Sequence, residues 1–207
     1  PGAAGAQNFI FDANVPVWDF SINANANVEL LVSQLTVKND LTIASGGTLD
    51  ANVNFDIPIT INGDFDNSGV YTHRNNLTTF NGGTQQILGS AAIDFYDLTV
   101  NSLTKLTLNR DANVDHDLLL SRGTLECDVN SVYVQGDVTN NATYTDSNAG
   151  LVLNGTTQQF IDGTGTWGQL ELDNNQGARV EDDITLQKDL ILTKGVFDIN
   201  DQLLTLQ

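Results

Sequence analysis

The chain has 207 residues and a net charge of −18, with 8 Lys and Arg against 26 Asp and Glu. That acidity argues against nucleic acid, whose phosphates need a basic face, and against an anionic membrane surface. Hydrophobic residues make up 40%, enough to bury a core. A single cysteine, Cys127, rules out an intrachain disulfide, and no apolar run is long enough to cross a bilayer as a helix.

Residues 1–17 read as a lead-in with a first strand, and Pro1-Gly2-Ala3-Ala4-Gly5-Ala6 reads as flexible linker. With no methionine and a start at Pro1, the expectation is a processed or excised piece. From Trp18 onward the chain repeats itself in three copies, 18–94, 95–166 and an incomplete 167–207. Phe80-Asn81-Gly82-Gly83-Thr84-Gln85-Gln86-Ile87 returns 73 positions later as Leu153-Asn154-Gly155-Thr156-Thr157-Gln158-Gln159-Phe160. Asp117-Leu118-Leu119-Leu120 returns after 72 as Asp189-Leu190-Ile191-Leu192. The looser first copy matches Trp18-Asp19-Phe20-Ser21-Ile22 to Tyr96-Asp97-Leu98-Thr99-Val100. A fixed period marks stacked units.

Within each copy an apolar-x-apolar triplet alternates with a turn, as in Leu98-Thr99-Val100, Leu106-Thr107-Leu108, Val132-Tyr133-Val134 and Leu170-Glu171-Leu172. Period two predicts strands with one face inward, and the Gly, Asn and Asp at the joints predict turns. No window carries a helical stripe. Strands this short are stable only when stacked on a neighbouring coil. The expected fold is therefore all-β, a right-handed parallel β-helix of about ten coils, with four coils or three longer ones per sequence repeat. An antiparallel β-sandwich is the alternative and calls for more two-residue hairpins. Leu98, Val100, Leu118, Leu120, Val134, Leu153, Leu170, Leu172, Leu190 and Leu192 are expected to face inward. Matching apolar positions should stack into ladders, and the corner asparagines into amide ladders. Leu204-Thr205-Leu206-Gln207 matches Val132-Tyr133-Val134-Gln135, so this coil is expected to lie open to a following coil, of the same polypeptide or of an identical subunit stacked end to end.

The recurring phrase is aromatic-x-x-Leu-x-Val-Asn at Phe95–Asn101, a Leu-rich strand at Leu118–Leu120 and Gly123-Thr124-Leu125. Gly136-Asp137 with Asn140 and Phe80-Asn81-Gly82 with Gln85 complete it. This resembles the β-solenoid repeats of large secreted surface adhesins of the Bacteroidota, including those used in gliding motility. The resemblance implies a cell-surface location after type IX export and a scaffolding task.

Asn113-Val114-Asp115 and Asp182-Asp183 superficially resemble polygalacturonase motifs, but Gly-His-Gly and Arg-x-Lys are missing, and the two lie one repeat apart. They read as solvated turn carboxylates. His116, between Asp115 and Asp117, and His73 read as surface residues. Cys127 reads as a buried small hydrophobe. Asp64-Phe65-Asp66-Asn67 and Glu181-Asp182-Asp183 place oxygen ligands close together and are the candidates for a structural calcium ion, although neither fits a known calcium loop. Arg74, Arg110, Arg122 and Arg179 match no anion site. Asn76, Asn141 and Asn154 head glycosylation sequons that an Asn-rich chain also produces by chance. Of Phe95, Tyr96 and Trp167, an exposed row would favour carbohydrate, whereas core packing is expected of at least two. No catalytic, cofactor or metal residue is assigned. The reading is a non-enzymatic rod or stalk segment of an extracellular adhesin or surface fibre. The alternatives are a filament subunit or a carbohydrate-binding or -cleaving solenoid with surface polysaccharide as partner.

Overall fold

The computed structural model describes residues 7–9, 15–147 and 150–207; the linker expected at Pro1–Ala6 lies outside them. Every described element is a strand, and all pairings are parallel. The chain winds as a β-solenoid of about 9 turns, with three strands to a coil. In one coil Val132–Val134 lies on a first face, Val138–Asn140 on a second and Thr143–Thr145 on a third. The next coil then begins with Leu151–Leu153, which pairs with Val132–Val134. The first face divides into a four-stranded sheet ending at Val70–Thr72 and a six-stranded sheet beginning at Asp94–Phe95. The second and third faces join into one 17-stranded sheet, because Asp97–Leu108 and Leu118–Glu126 run through the corner between them.

The apolar-x-apolar triplets explain the interior. Their outer residues are buried and their middle residue faces out, as in Leu35–Val37, Ile59–Ile61 and Ile184–Leu186. One hydrophobic core runs the length of the coil stack. Phe65, Phe80 and Phe95 cluster within it, with Phe80 and Phe95 edge to face at 6.1 Å, a favourable aromatic geometry.

The sequence repeat does not coincide with the coil. Counting from the second-face half of Leu118–Glu126, Leu190–Lys194 is the eleventh strand segment onward, three coils of three and two strands over. The repeat therefore holds neither three nor four whole coils. Each copy starts one face away from the last. Leu118–Leu120 lies on the second face and pairs with Val138–Asn140, whereas its counterpart Leu190–Leu192 lies on the first and pairs with Leu170–Leu172. Matching positions thus land on different faces, and the core ladders are built from non-equivalent residues. Of the ten residues expected inward, eight are buried. Leu190 is half-buried, and Leu192 is 58% exposed because its strand lies in the outermost coil, with only one neighbour.

Polar corners are locked from coil to coil. Asparagines mostly donate to backbone carbonyls of an adjacent coil rather than to one another: Asn52 to Leu30 O at 2.9 Å, Asn76 to Ile57 O at 2.9 Å, Asn130 to Leu108 O at 3.0 Å. An amide pair occurs at Asn101 and Asn81, 2.7 Å apart. Asn52 takes φ 76, a left-handed conformation that asparagine tolerates better than most residues. The Asn-Gly turn with a glutamine three or four residues after the glycine acquires a specific meaning. Buried Gln159 accepts from Gly155 N at 2.9 Å and donates to Val134 O at 3.0 Å and Gly136 O at 2.5 Å. Gln85 makes the same set with Gly82 N, Ile61 O and Gly63 O, one face further round the prism.

Candidate functional site

The densest collection of titratable and aromatic side chains outside the core lies at the corner between the first and second faces. Three successive first-face strands, Val70–Thr72, Asp94–Phe95 and Ala112–Val114, each end there. Because the strands stack, the residues that follow them stack too. The Tyr96 and His116 rings are parallel within 8° at 4.8 Å, and His73 lies on the other side of Tyr96 at 6.4 Å.

Aspartates line the second-face side of this corner. His116 Nδ1 lies 2.7 Å from Asp97 Oδ1 and 3.5 Å from Asp117 Oδ2. His73 Nε2 faces Asp115 Oδ2 at 3.5 Å. The carboxylates also act on the backbone: Asp97 accepts from Asp117 N at 3.1 Å, Asp117 from Asp137 N at 2.8 Å, and Asp137 from Phe160 N at 2.8 Å. Each aspartate thus satisfies an amide on the coil after it, where the chain leaves the strand ladder and backbone donors need another acceptor. The same device recurs at Asp40 with Asp64 N, at Asp64 with Gln86 N and at Asp183 with Leu203 N. The hydrogen bond to Asp97, followed by the charges of Asp117, Asp97 and Asp137, raises the pKa of His116 above its ordinary value.

His116 and Asp97 form a pair able to hold and move a proton, and Asp97, His116 and Asp117 offer ligand atoms within 4.8 Å of one another. Among the described residues it is the only such group of three. The pair sits on an open wall. The adjoining groove, about 420 Å³, is lined by His116, Asp117, Gln135, Asp137, Thr156 and Phe160 and encloses no substrate-sized chamber. A larger open groove of about 630 Å³ runs past Glu126, Asp128 and Asp146. Its carboxylates are engaged with Lys105, Ser147 and Lys188 respectively.

The sequence-level candidates do not converge. Asn113 donates to Asp94 at 2.6 Å, and Asp115 accepts from Gln135 at 3.1 Å. Asp182 accepts from Gly163 N at 3.3 Å, about three coils further along, on the order of 14 Å. Of the calcium candidates, Asp64 accepts a backbone amide, Asn67 is buried and donates to Ala92 O, and Glu181 pairs with Arg179 at 3.0 Å. The arginines have separate partners: Arg74 with Asp50, Arg110 with Gly89 O, Arg122 with Asn101 O and Arg179 with Asn200. Cys127 is fully buried, and burial pushes its thiol pKa up. Phe95 and Trp167 are core residues, and Tyr96 is half-buried in the corner stack. His116 is exposed as expected, but the His73 side chain is only 18% exposed. Sequence reasoning missed the three-ring stack. Its members are 23 and 20 positions apart, a spacing visible only once the coil length is known.

No family model, curated protein or solved structure matches the chain.

Proposed function

We propose that the chain is a non-enzymatic rod or stalk segment of a large extracellular adhesin or cell-surface fibre. The observation that supports this most is the use to which the reactive side chains are put. Corner Asp, Asn and Gln spend their hydrogen-bonding capacity on the backbone of the neighbouring coil, and the core is continuous through the stack. Such an architecture gains stability coil by coil from nearest-neighbour contacts and can be lengthened without a new core design. Small-angle X-ray scattering should give an elongated particle about 43 Å long, from a coil spacing of about 4.8 Å. Incubation with pectin, alginate or another acidic glycan should release no product. Turnover lost in Asp115→Asn or Asp182→Asn would overturn the reading.

A second reading, a subunit that stacks end to end, draws on the coil formed by Leu190–Lys194, Phe197–Asp198 and Leu204–Leu206. Leu192, Val196, Leu203 and Leu206 in and beside it are 58 to 73% exposed, and its strands each have a pairing partner on one side only. A parallel coil of similar sequence fits such an edge, whether from the same polypeptide or from another copy. Light scattering over a concentration series separates the readings: growing end-to-end species favour the subunit, and a constant monomer mass favours the rod segment.

A further inference from the structure

On the third face one outward residue in each of five successive strands is threonine, at the head of the strand for Thr143 and Thr166 and at its middle for Thr185 and Thr205. Thr124, Thr143, Thr166, Thr185 and Thr205 pair one to the next in unbroken register. Leu125, Tyr144, Trp167, Ile184 and Leu186 beside them are buried, so the threonines stand outward, half-buried. Among the described residues no protein group hydrogen-bonds their hydroxyls. A similar row on the second face, Thr36, Thr60, Thr79 and Thr99, is interrupted by Leu119 before Thr139.

Neither duplication nor strand propensity accounts for the third-face row. Because the repeat advances eleven strands, the counterparts of Thr143, Thr166, Thr185 and Thr205 one copy earlier are Val70, Asp94, Asn113 and Tyr133, all on the first face. The first face's own middle row reads Asn113, Tyr133, Val152, Glu171, Ile191. Threonine's preference for strands would act equally there. The threonines therefore belong to the face and not to the repeat.

This face is also chemically unlike the rest of an acidic molecule. Two residues beyond each threonine stand Glu126, Thr145, Gly168, Gln187 and Gln207, so the strip holds one charged residue, paired with Lys105 at 2.7 Å. Tyr144 and Trp167 point inward and leave no ring for a sugar to stack on. Exposed aromatic and arginine anchors, which dominate protein interfaces, are absent from these positions. What remains is a rigid row of methyls and hydroxyls repeating at about 4.8 Å, close to the repeat of water oxygens along one axis of hexagonal ice. We propose that the Thr124–Thr205 row is an ice-binding surface, its methyls and unengaged hydroxyls holding a water layer that continues the crystal lattice.

The test is thermal hysteresis and ice-crystal shaping by the full chain. The wild type should show both. Thr143→Lys and Thr166→Lys should fall to the buffer value, while Tyr133→Lys on the first face should keep the wild-type effect. The Thr143→Ser/Thr166→Ser double variant removes two methyls without adding charge. It should lose hysteresis with an unchanged circular dichroism spectrum and melting temperature, which separates surface loss from misfolding. A wild-type chain without hysteresis would overturn the proposal, as would equal loss in Tyr133→Lys. So would a row-dependent affinity for crystalline cellulose or for a second copy with no effect on ice.

Discussion

Single residues in this protein act mainly on their neighbours along the stack. Gln159 illustrates the cost of losing one. Its amide serves a Gly155 donor and the Val134 and Gly136 carbonyls from a fully buried position. Gln159→Leu keeps the volume and orphans these groups, so it should destabilise by about 1–3 kcal/mol in a denaturant titration; a neutral result would mean that the corner does not depend on the lock. His116 gives a test in pH. Its pKa is raised by Asp97, so the imidazolium–carboxylate contact is intact below the ordinary value of 6.5 and is lost as pH rises through the higher folded-state value. The ring signals should titrate above 6.5, and Asp97→Asn should bring the midpoint down. A wild-type midpoint at or below 6.5 would refute the assignment.

At the scale of strands, position in the stack outweighs sequence. Leu120 and Leu192 are repeat counterparts 72 positions apart. Leu120 is fully buried between two coils, whereas Leu192 is 58% exposed at the outermost one. Leu120→Asp should cost several kcal/mol, because it buries an unpaired carboxylate. Leu192→Asp should change the melting temperature little, and equal losses would show that the outermost coil is as well covered as the middle. The same contrast explains what the sequence made legible. Strand positions, inward residues such as Leu98 and Val134 and the absence of helix among the described residues followed from period-two alternation, which is local. The coil length did not, because similar triplets on different faces look alike in sequence: Leu120 pairs with Asn140 on the second face, whereas Val134 pairs with Val114 and Leu153 on the first. A repeat of eleven strands on a three-strand coil hides the coil from any search for identical positions. The His73–Tyr96–His116 stack and the threonine row were hidden for the same reason, being properties of register across coils and not of spacing within the repeat.

The molecule as a whole carries −18, and the fold concentrates part of that charge. Corner aspartates are chosen to accept backbone amides, which are neutral, so Asp97, Asp117 and Asp137 line up coil after coil with His116 as their nearby imidazole. Spacing along such a row is about one coil, ~4.8 Å, well inside the Debye length of ~10 Å at 0.1 M salt. Their mutual repulsion opposes the compact state. Salt acts on two opposed quantities here. It weakens the surface ion pairs such as Lys105 with Glu126 and Arg74 with Asp50, which contribute little where solvent reaches them. It also screens the excess negative charge, which has no cationic partner because 8 basic residues face 26 acidic ones. The second quantity should prevail, so the melting temperature should climb with NaCl and keep climbing toward ~1 M, where the Debye length of ~3 Å is well below the coil spacing. A melting temperature that drops with added NaCl would place the stability of the stack in its ion pairs, and the aspartate rows would then have to be held by something other than the backbone amides they accept.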